Sequence, residues 1–212
     1  FLNEYIRNEF DEFSTNNVIL PSGVDLEIFN TPEVNVKVSN KICFVGNLFR
    51  FGKERDLDTV IKAFNSTELK NYQLNIIGGP ESEAVKIREL LSEKNISNIK
   101  VMGRLNRKEV IKELLSSSAG LLINAPDKHS QFFTSPLKYF EYLAASLNVV
   151  AINFPSHKVL PNQENIFYFD NNEKSFIESV KKACNVDFKE VDLEKISLNN
   201  RAKKIIELFE SF

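Results

Sequence analysis

Short apolar runs rich in valine and isoleucine alternate with longer amphipathic stretches along most of this chain. A strand buried on both faces reads as a continuous apolar run, whereas a helix covering it keeps one polar side, so the alternation is that of βα units in a parallel sheet. Strands are predicted at Val18 to Leu20, Ile42 to Val45, Gln73 to Ile77, Ile99 to Met102, Gly120 to Ile123 and Asn148 to Ile152, with a short one at Ile166 to Phe169. Helices are expected between them, at Asp56 to Phe64, Glu81 to Lys94, Arg107 to Ser116, Ser135 to Ser146 and Glu173 to Cys184. The fold class is therefore α/β, with an open parallel sheet flanked by helices.

The composition suits such a fold. With 212 residues, 42% hydrophobic and 26% charged, the chain is long enough to bury a proper core and too apolar to be disordered. No run approaches 18 apolar residues, so no membrane-spanning segment is expected, and a net charge of -2 gives no electrostatic reason for a nucleic acid partner. Cys43 and Cys184 lie far apart, without the dense spacing of a secreted scaffold, which favours a reducing cytosol. With only His129 and His157 beside them, no metal-ligand pair is spaced for zinc, and no protein-bound metal is expected. The opening string FLNEYIRNEFDEF starts at Phe rather than Met and lacks a signal-peptide pattern, so the chain reads as an excised fragment.

One compact unit accounts for about Asn16 to Val186. Two flanking helices, near Leu2 to Phe13 and Leu198 to Phe209, do not sit between strands. In the second, Ala202, Ile205, Ile206 and Phe209 recur at helical spacing, so this helix must lie on something apolar.

Four of the seven glycines, Gly46, Gly78, Gly79 and Gly103, directly follow predicted strands. Ligands of open parallel sheets bind beyond the carboxyl ends of the strands, where small residues let them approach the backbone. Any one of these glycines serves equally to end a strand, but together they favour a cleft. Failed motifs narrow its ligand. GNLFRFGK comes near a phosphate-binding P-loop, yet the interval from Gly46 to Gly52 is one residue too long and Glu54 stands where Ser or Thr must hold magnesium. The dinucleotide pattern G-x-G-x-x-G and the nucleophile elbow G-x-S-x-G are both absent.

The most informative segment is TSPLKYFEYLAASLNVVA, residues 134 to 151. Ser135 suits an N-cap and Pro136 the first helical position, after which Phe140, Leu143, Ala144 and Leu147 form an apolar face. The amino end of this helix, with free N–H groups and a partial positive charge, is suited to phosphate. Lys138 and Glu141 share the opposite side, either as a surface ion pair or as ligand-binding groups.

At this point the series resembles the carboxy-terminal, donor-binding half of GT-B fold glycosyltransferases, in particular the large retaining family 4. VILPSGVDLEIF (18–29) is similar to the family's entry into this half, and FVGNL with RDLDTVIKAF to its first strand, glycine loop and helix. YQLNIIGGP, IKVMGRLNRKEVIKELLSSS, SPLKYFEYLAASLNVVA and LNNRAKKIIELFE follow in the family's order, so the resemblance covers nearly all of residues 17–212. It implies a Rossmann-like domain over residues 16–196. Residues 1–15 would be a remnant of, or bridge to, a missing N-terminal acceptor domain, and 197–212 a helix packing back toward it.

The resemblance also implies a site for a nucleoside diphosphate sugar, with no cofactor and no metal. Glu141 matches a ribose-binding glutamate, the backbone N–H groups near Leu137 and Lys138 would meet the diphosphate, and Ser135 and Pro136 at the helix entrance are further substrate-binding positions. Arg55 falls where the family has a phosphate-contacting lysine, with Lys53 a close alternative. Gly46 would make room for the phosphates, Asn47, Gly78 and Gly79 are further substrate-binding positions, and the backbone at Arg104 and Leu105 would face the base. In three places the family pattern is broken: Phe133 stands where a donor-sugar glutamate is usual, Asn47 where arginine is common, and Ser146 where a glycine ends the helix. His129, Asp127 and Lys128 lie in the loop before that helix, more in the manner of solvated side chains than catalytic ones. The implied partners are a nucleotide-sugar donor, the missing acceptor domain and a glycan, lipid or protein acceptor, in the cytoplasm, with membrane association only through the missing half. A nucleotide-sugar epimerase and a non-catalytic binding domain are the competing readings.

Overall fold

The computed structural model describes residues 1–10, 17–30, 36–50 and 52–210, the side chains of Arg50 and Glu54 excepted. The main sheet contains β1 (Lys41–Val45), β4 (Gln73–Ile77), β5 (Ile99–Gly103), β6 (Ala119–Leu122), β7 (Asn148–Ile152) and β8 (Ile166–Phe169). All are parallel, in the order β5-β4-β1-β6-β7-β8. The chain thus winds outward from β1 to one edge, returns, and winds outward again from β6. Its direction reverses between β1 and β6, which is the Rossmann arrangement and places a crevice at that junction.

Period-two alternation sorts β1 between two cores. Ile42 and Phe44 join one cluster with Val60, Phe64 and Val180, whereas Cys43 and Val45 join the other with Leu114, Tyr142 and Leu143. The first layer is covered by α2 (Asp58–Phe64), α3 (Glu81–Glu93) and α8 (Glu173–Asn185), and the second by α4 (Arg107–Ser116) and α6 (Leu137–Ala144). The start of α4 follows directly from the string NRKE: Asn106 accepts from the Glu109 N–H, and Glu109 accepts from the Asn106 N–H.

The predicted strands and helices that build the sheet layers are present, with ends shifted by one or two residues. Val18 to Leu20 is not a strand. It runs alongside the amino-terminal segment, and the Leu20 N–H bonds to the Phe1 carbonyl rather than to the sheet. Among the described residues, the small elements not foreseen include the hairpin of β2 (Phe49–Arg50) and β3 (Lys53–Glu54), α5 (Lys128–Phe132) and α7 (Pro155–Lys158), beside short 3-10 turns. The first flanking helix forms as α1 (Glu4–Glu9), and residues 11–13 of that expectation lie outside the described residues. The second forms as α9 (Leu198–Glu210), in which no residue is buried and Phe209 is 78% exposed. Its apolar stripe is therefore uncovered among the described residues. None of the described helices is long and apolar enough to cross a membrane.

Candidate functional site

A cleft of about 820 Å³ opens at the carboxyl ends of β1, β4 and β6, against the reversal point of the sheet. Its floor is made by backbone. The Gly46 N–H bonds to Ile77 O at 3.0 Å, the Leu48 N–H to Gly79 O at 2.8 Å, and the Gly78 N–H to Gly103 O at 2.8 Å, so the ends of three strands are laced together. Gly78 lies against the carbonyl of Gly46, closer than a side chain at that position allows.

Cations dominate the charge of the cleft wall. Lys53, Arg55, Arg104 and Lys138 line it, against the carboxylate of Asp127. Arg55 is aimed by its own bonds: Nε donates to Asn47 O at 2.8 Å, and Nη1 donates to Ile123 O at 3.3 Å and to Asn124 Oδ1. The guanidinium therefore bridges the loops after β1 and β6. Asp127 caps α5, and hydrogen bonds from the Ser130 N–H and hydroxyl hold its carboxyl below the usual carboxylate range. It is thereby ionised and already engaged. His129 is exposed at the rim, and Phe133 lines the wall beneath it.

Helix α6 supplies the remaining wall. Pro136, not Ser135, takes the cap position, and the Ser135 hydroxyl accepts from the Ser22 N–H at 2.9 Å. The core face is also wider than predicted. Tyr139 and Tyr142 are buried with Phe140 and Leu143, while Ala144 is only half-buried.

Tyr142 has a particular duty. Strands β1 and β6 pair only at Ile42 with Ala119 and Cys43 with Gly120, and beyond these they part. The Tyr142 hydroxyl enters the gap, accepting from the Val45 N–H at 3.2 Å and donating to Leu121 O at 3.1 Å. A Cβ on Gly120 would stand 2.5 Å from the Tyr142 ring, so glycine in this strand admits the aromatic side chain. Tyr142→Phe keeps the ring but orphans two buried backbone groups, and should lower stability by about 2 kcal/mol in urea unfolding.

Twelve of the sequence-predicted residues line this cleft: Gly46, Asn47, Lys53, Arg55, Gly78, Gly79, Arg104, Leu105, Ser135, Pro136, Leu137 and Lys138. Glu141 does not. It stands behind Lys138, its Oε2 2.6 Å from the Lys138 Nζ, with a quarter of its side chain exposed. Leu2, Ser22, Val110 and Thr134 line the cleft without having been singled out. The first two come from the entering segment, more than a hundred residues before α6, and no local pattern marks them. Among the described residues no cluster of three or more His, Cys, Asp or Glu side chains is placed to hold a metal ion.

The sequence profile of the family described as Glycosyl transferases group 1 matches residues 39–185. No curated protein matches the sequence. Among solved structures, TarM superposes with a TM-score of 0.69 at 18% identity, over 98% of this chain and 42% of its own. The pneumococcal O-GlcNAc transferase GtfA, in complex with UDP and GlcNAc, gives 0.64 at 14% identity over 99% and 43%. The lipopolysaccharide outer core galactosyltransferase WaaB, in its apo form, gives 0.69 at 13% over 98% and 60%. At such identities the likeness carries the fold alone. This chain spans less than half the length of TarM and GtfA.

Proposed function

This chain belongs to the group 1 family of glycosyl transferases, and from that premise we propose that it forms the donor-binding half of such an enzyme, taking a nucleoside diphosphate sugar into the cleft. The observation that carries the reading is the convergence, at the β1–β6 reversal, of the α6 amino end, the aimed guanidinium of Arg55 and the glycine-lined backbone of Gly46 and Gly78. Helix amides and a fixed cation stabilise a diphosphate, and do so most strongly as charge grows on the departing nucleotide. They supply the positive charge that a metal ion otherwise brings. The base would lie by Arg104 and Leu105, and the ribose toward Glu141. Lys138 engages Glu141 through one oxygen, Oε2, and an ionised carboxylate has further lone pairs for ribose hydroxyls. The acceptor, a glycan, lipid or protein, would be held by a half of the enzyme preceding Phe1, and retention of anomeric configuration follows the family 4 pattern.

The test is calorimetric titration of UDP, GDP and ADP into the chain, with and without EDTA. Binding of at least one nucleotide, unaffected by the chelator, is expected; strict metal dependence would sink the reading. Glu141→Gln keeps shape and one acceptor, so nucleotide affinity should fall about tenfold, equivalent to about 1.4 kcal/mol. If Glu141 is merely the surface partner of Lys138, then Glu141→Gln, Glu141→Ala and Lys138→Ala will all bind like wild type. Sugar transfer by this chain alone is not expected, because donor and acceptor must be held in register.

A further inference from the structure

We propose that Asn3 is a positioning residue for the donor cleft: it suspends the loop 132–135 so that the Ser135 N–H joins the α6 amides facing the diphosphate. This rests on the donor reading of the cleft given above.

Asn3 is 4% exposed, and its amide is fully used. Oδ1 accepts from the Ile6 N–H at 2.9 Å and caps α1, while Nδ2 donates both to Phe132 O at 2.9 Å and to Thr134 O at 3.0 Å. One side chain thus joins the first turn of the entering helix to the loop that leads into α6. Tyr5 reinforces the contact, its ring meeting Phe132 edge-on at 5.4 Å.

Carbonyls on either side of Thr134 are engaged as well. Ser130 O accepts from the Ser156 hydroxyl at 3.1 Å and from the Thr134 hydroxyl at 3.2 Å, and Ser135 O accepts from the Ser22 hydroxyl at 2.9 Å. A trans peptide is planar, with its C=O and N–H pointing opposite ways. Turning Thr134 O toward Asn3 therefore turns the Ser135 N–H away from it, and Ser135 is a cleft-lining residue. Only an amide makes this clasp. Aspartate caps a helix equally well but donates nothing, and serine caps but does not span to both carbonyls.

A residue that only caps α1 predicts no effect on ligand binding, which gives the experiment its leverage. In the full chain, Asn3→Asp and Asn3→Ser both keep an N-cap acceptor and remove the double donation. The Ser135 amide NMR signal should shift or broaden in the ligand-free variants while the amide signals of β1 and β6 keep their positions. Affinity for the nucleotide that the wild type binds, by calorimetry, should weaken about fivefold. Thermal melts identify a misfolded variant, and Asn3→Ser alone then decides the matter. An unchanged Ser135 amide signal, or an altered one with wild-type nucleotide affinity, overturns the role of Asn3. Failure of the wild type to bind UDP, GDP or ADP overturns the donor reading itself, and with it the ligand of this proposal.

Discussion

Gly78→Ala is expected to cost on the order of 4 kcal/mol or to prevent cooperative folding altogether, a larger loss than a buried hydrogen bond or a single cap can account for. Gly78 has φ +154°, and a Cβ built on it falls deep inside the van der Waals envelope of the Gly46 carbonyl oxygen. What lies in the way is backbone, which no rotamer change moves aside. The ends of β1 and β4 would have to separate, breaking the bond from the Gly46 N–H to Ile77 O and opening the floor of the cleft. Gly52→Ala provides the contrast. Gly52 also has positive φ, +75°, but a Cβ there meets nothing within 4 Å. Only conformational strain remains, about 1 kcal/mol. Urea unfolding of the two variants beside wild type should show this separation, and a loss below about 1 kcal/mol for Gly78→Ala would mean that the two strand ends do not touch.

The second large effect depends on pH. His157 is fully buried in α7, tilted against the Phe154 ring, with Nδ1 2.8 Å from Ile152 O and Nε2 without a partner. Burial depresses its pKa from 6.5 to about 4, and the bond to Ile152 O only partly opposes this. The neutral form is thus the folded form. Between these two pKa values the unfolded chain binds a proton that the folded chain refuses, so stability rises with pH across the window. The contribution is complete above the unfolded pKa and is lost as pH falls toward 4, amounting to about 3 kcal/mol in all, of which about 2 has gone by pH 5. His157→Phe keeps a ring against Phe154. Ile152 O still accepts from the Phe154 N–H at 2.8 Å, so no carbonyl is orphaned. Unfolding free energies of wild type and variant at pH 7 and pH 5 should therefore differ mainly in slope, the variant losing about 2 kcal/mol less on acidification. Equal slopes would show that His157 is protonated in the folded state.

What the sequence disclosed follows the physics of each element. Strands β1 and β7 are buried along their whole length, and the apolar runs ICFV and VVAI announce them, while β4 shows itself by the apolar residues on either side of Asn75. By contrast α7 spans Pro155–Lys158 and β2 and β3 are two residues each, too short for any period to show. At the start of α6, Ser135 and Pro136 both satisfied the rules for a helix entrance. The helix begins one residue later than that pattern, with Pro136 at the cap and the Ser135 hydroxyl accepting from the Ser22 N–H, and no local pattern contains such a tertiary bond. The cleft was legible for a similar reason: strand ends in a parallel sheet must gather on one side, so Gly46, Gly78, Arg104 and the α6 amino end were bound to meet. Glu141 was harder, because spacing puts Lys138 beside it but does not say which of the two lines the cavity. Tyr142 left one trace, a glycine inside the apolar string AGLL where strands prefer branched side chains.

The Tyr142 hydroxyl makes α6 and the parted strands a single mechanical piece. If the helix slides or rolls by even an ångström or two, the Val45 N–H and Leu121 carbonyl lose their shared partner in a place water does not reach. The helix therefore has almost no freedom of its own relative to the sheet. Any adaptation to donors of different shape must be made outside this piece, and any closing movement must carry the helix and the sheet together.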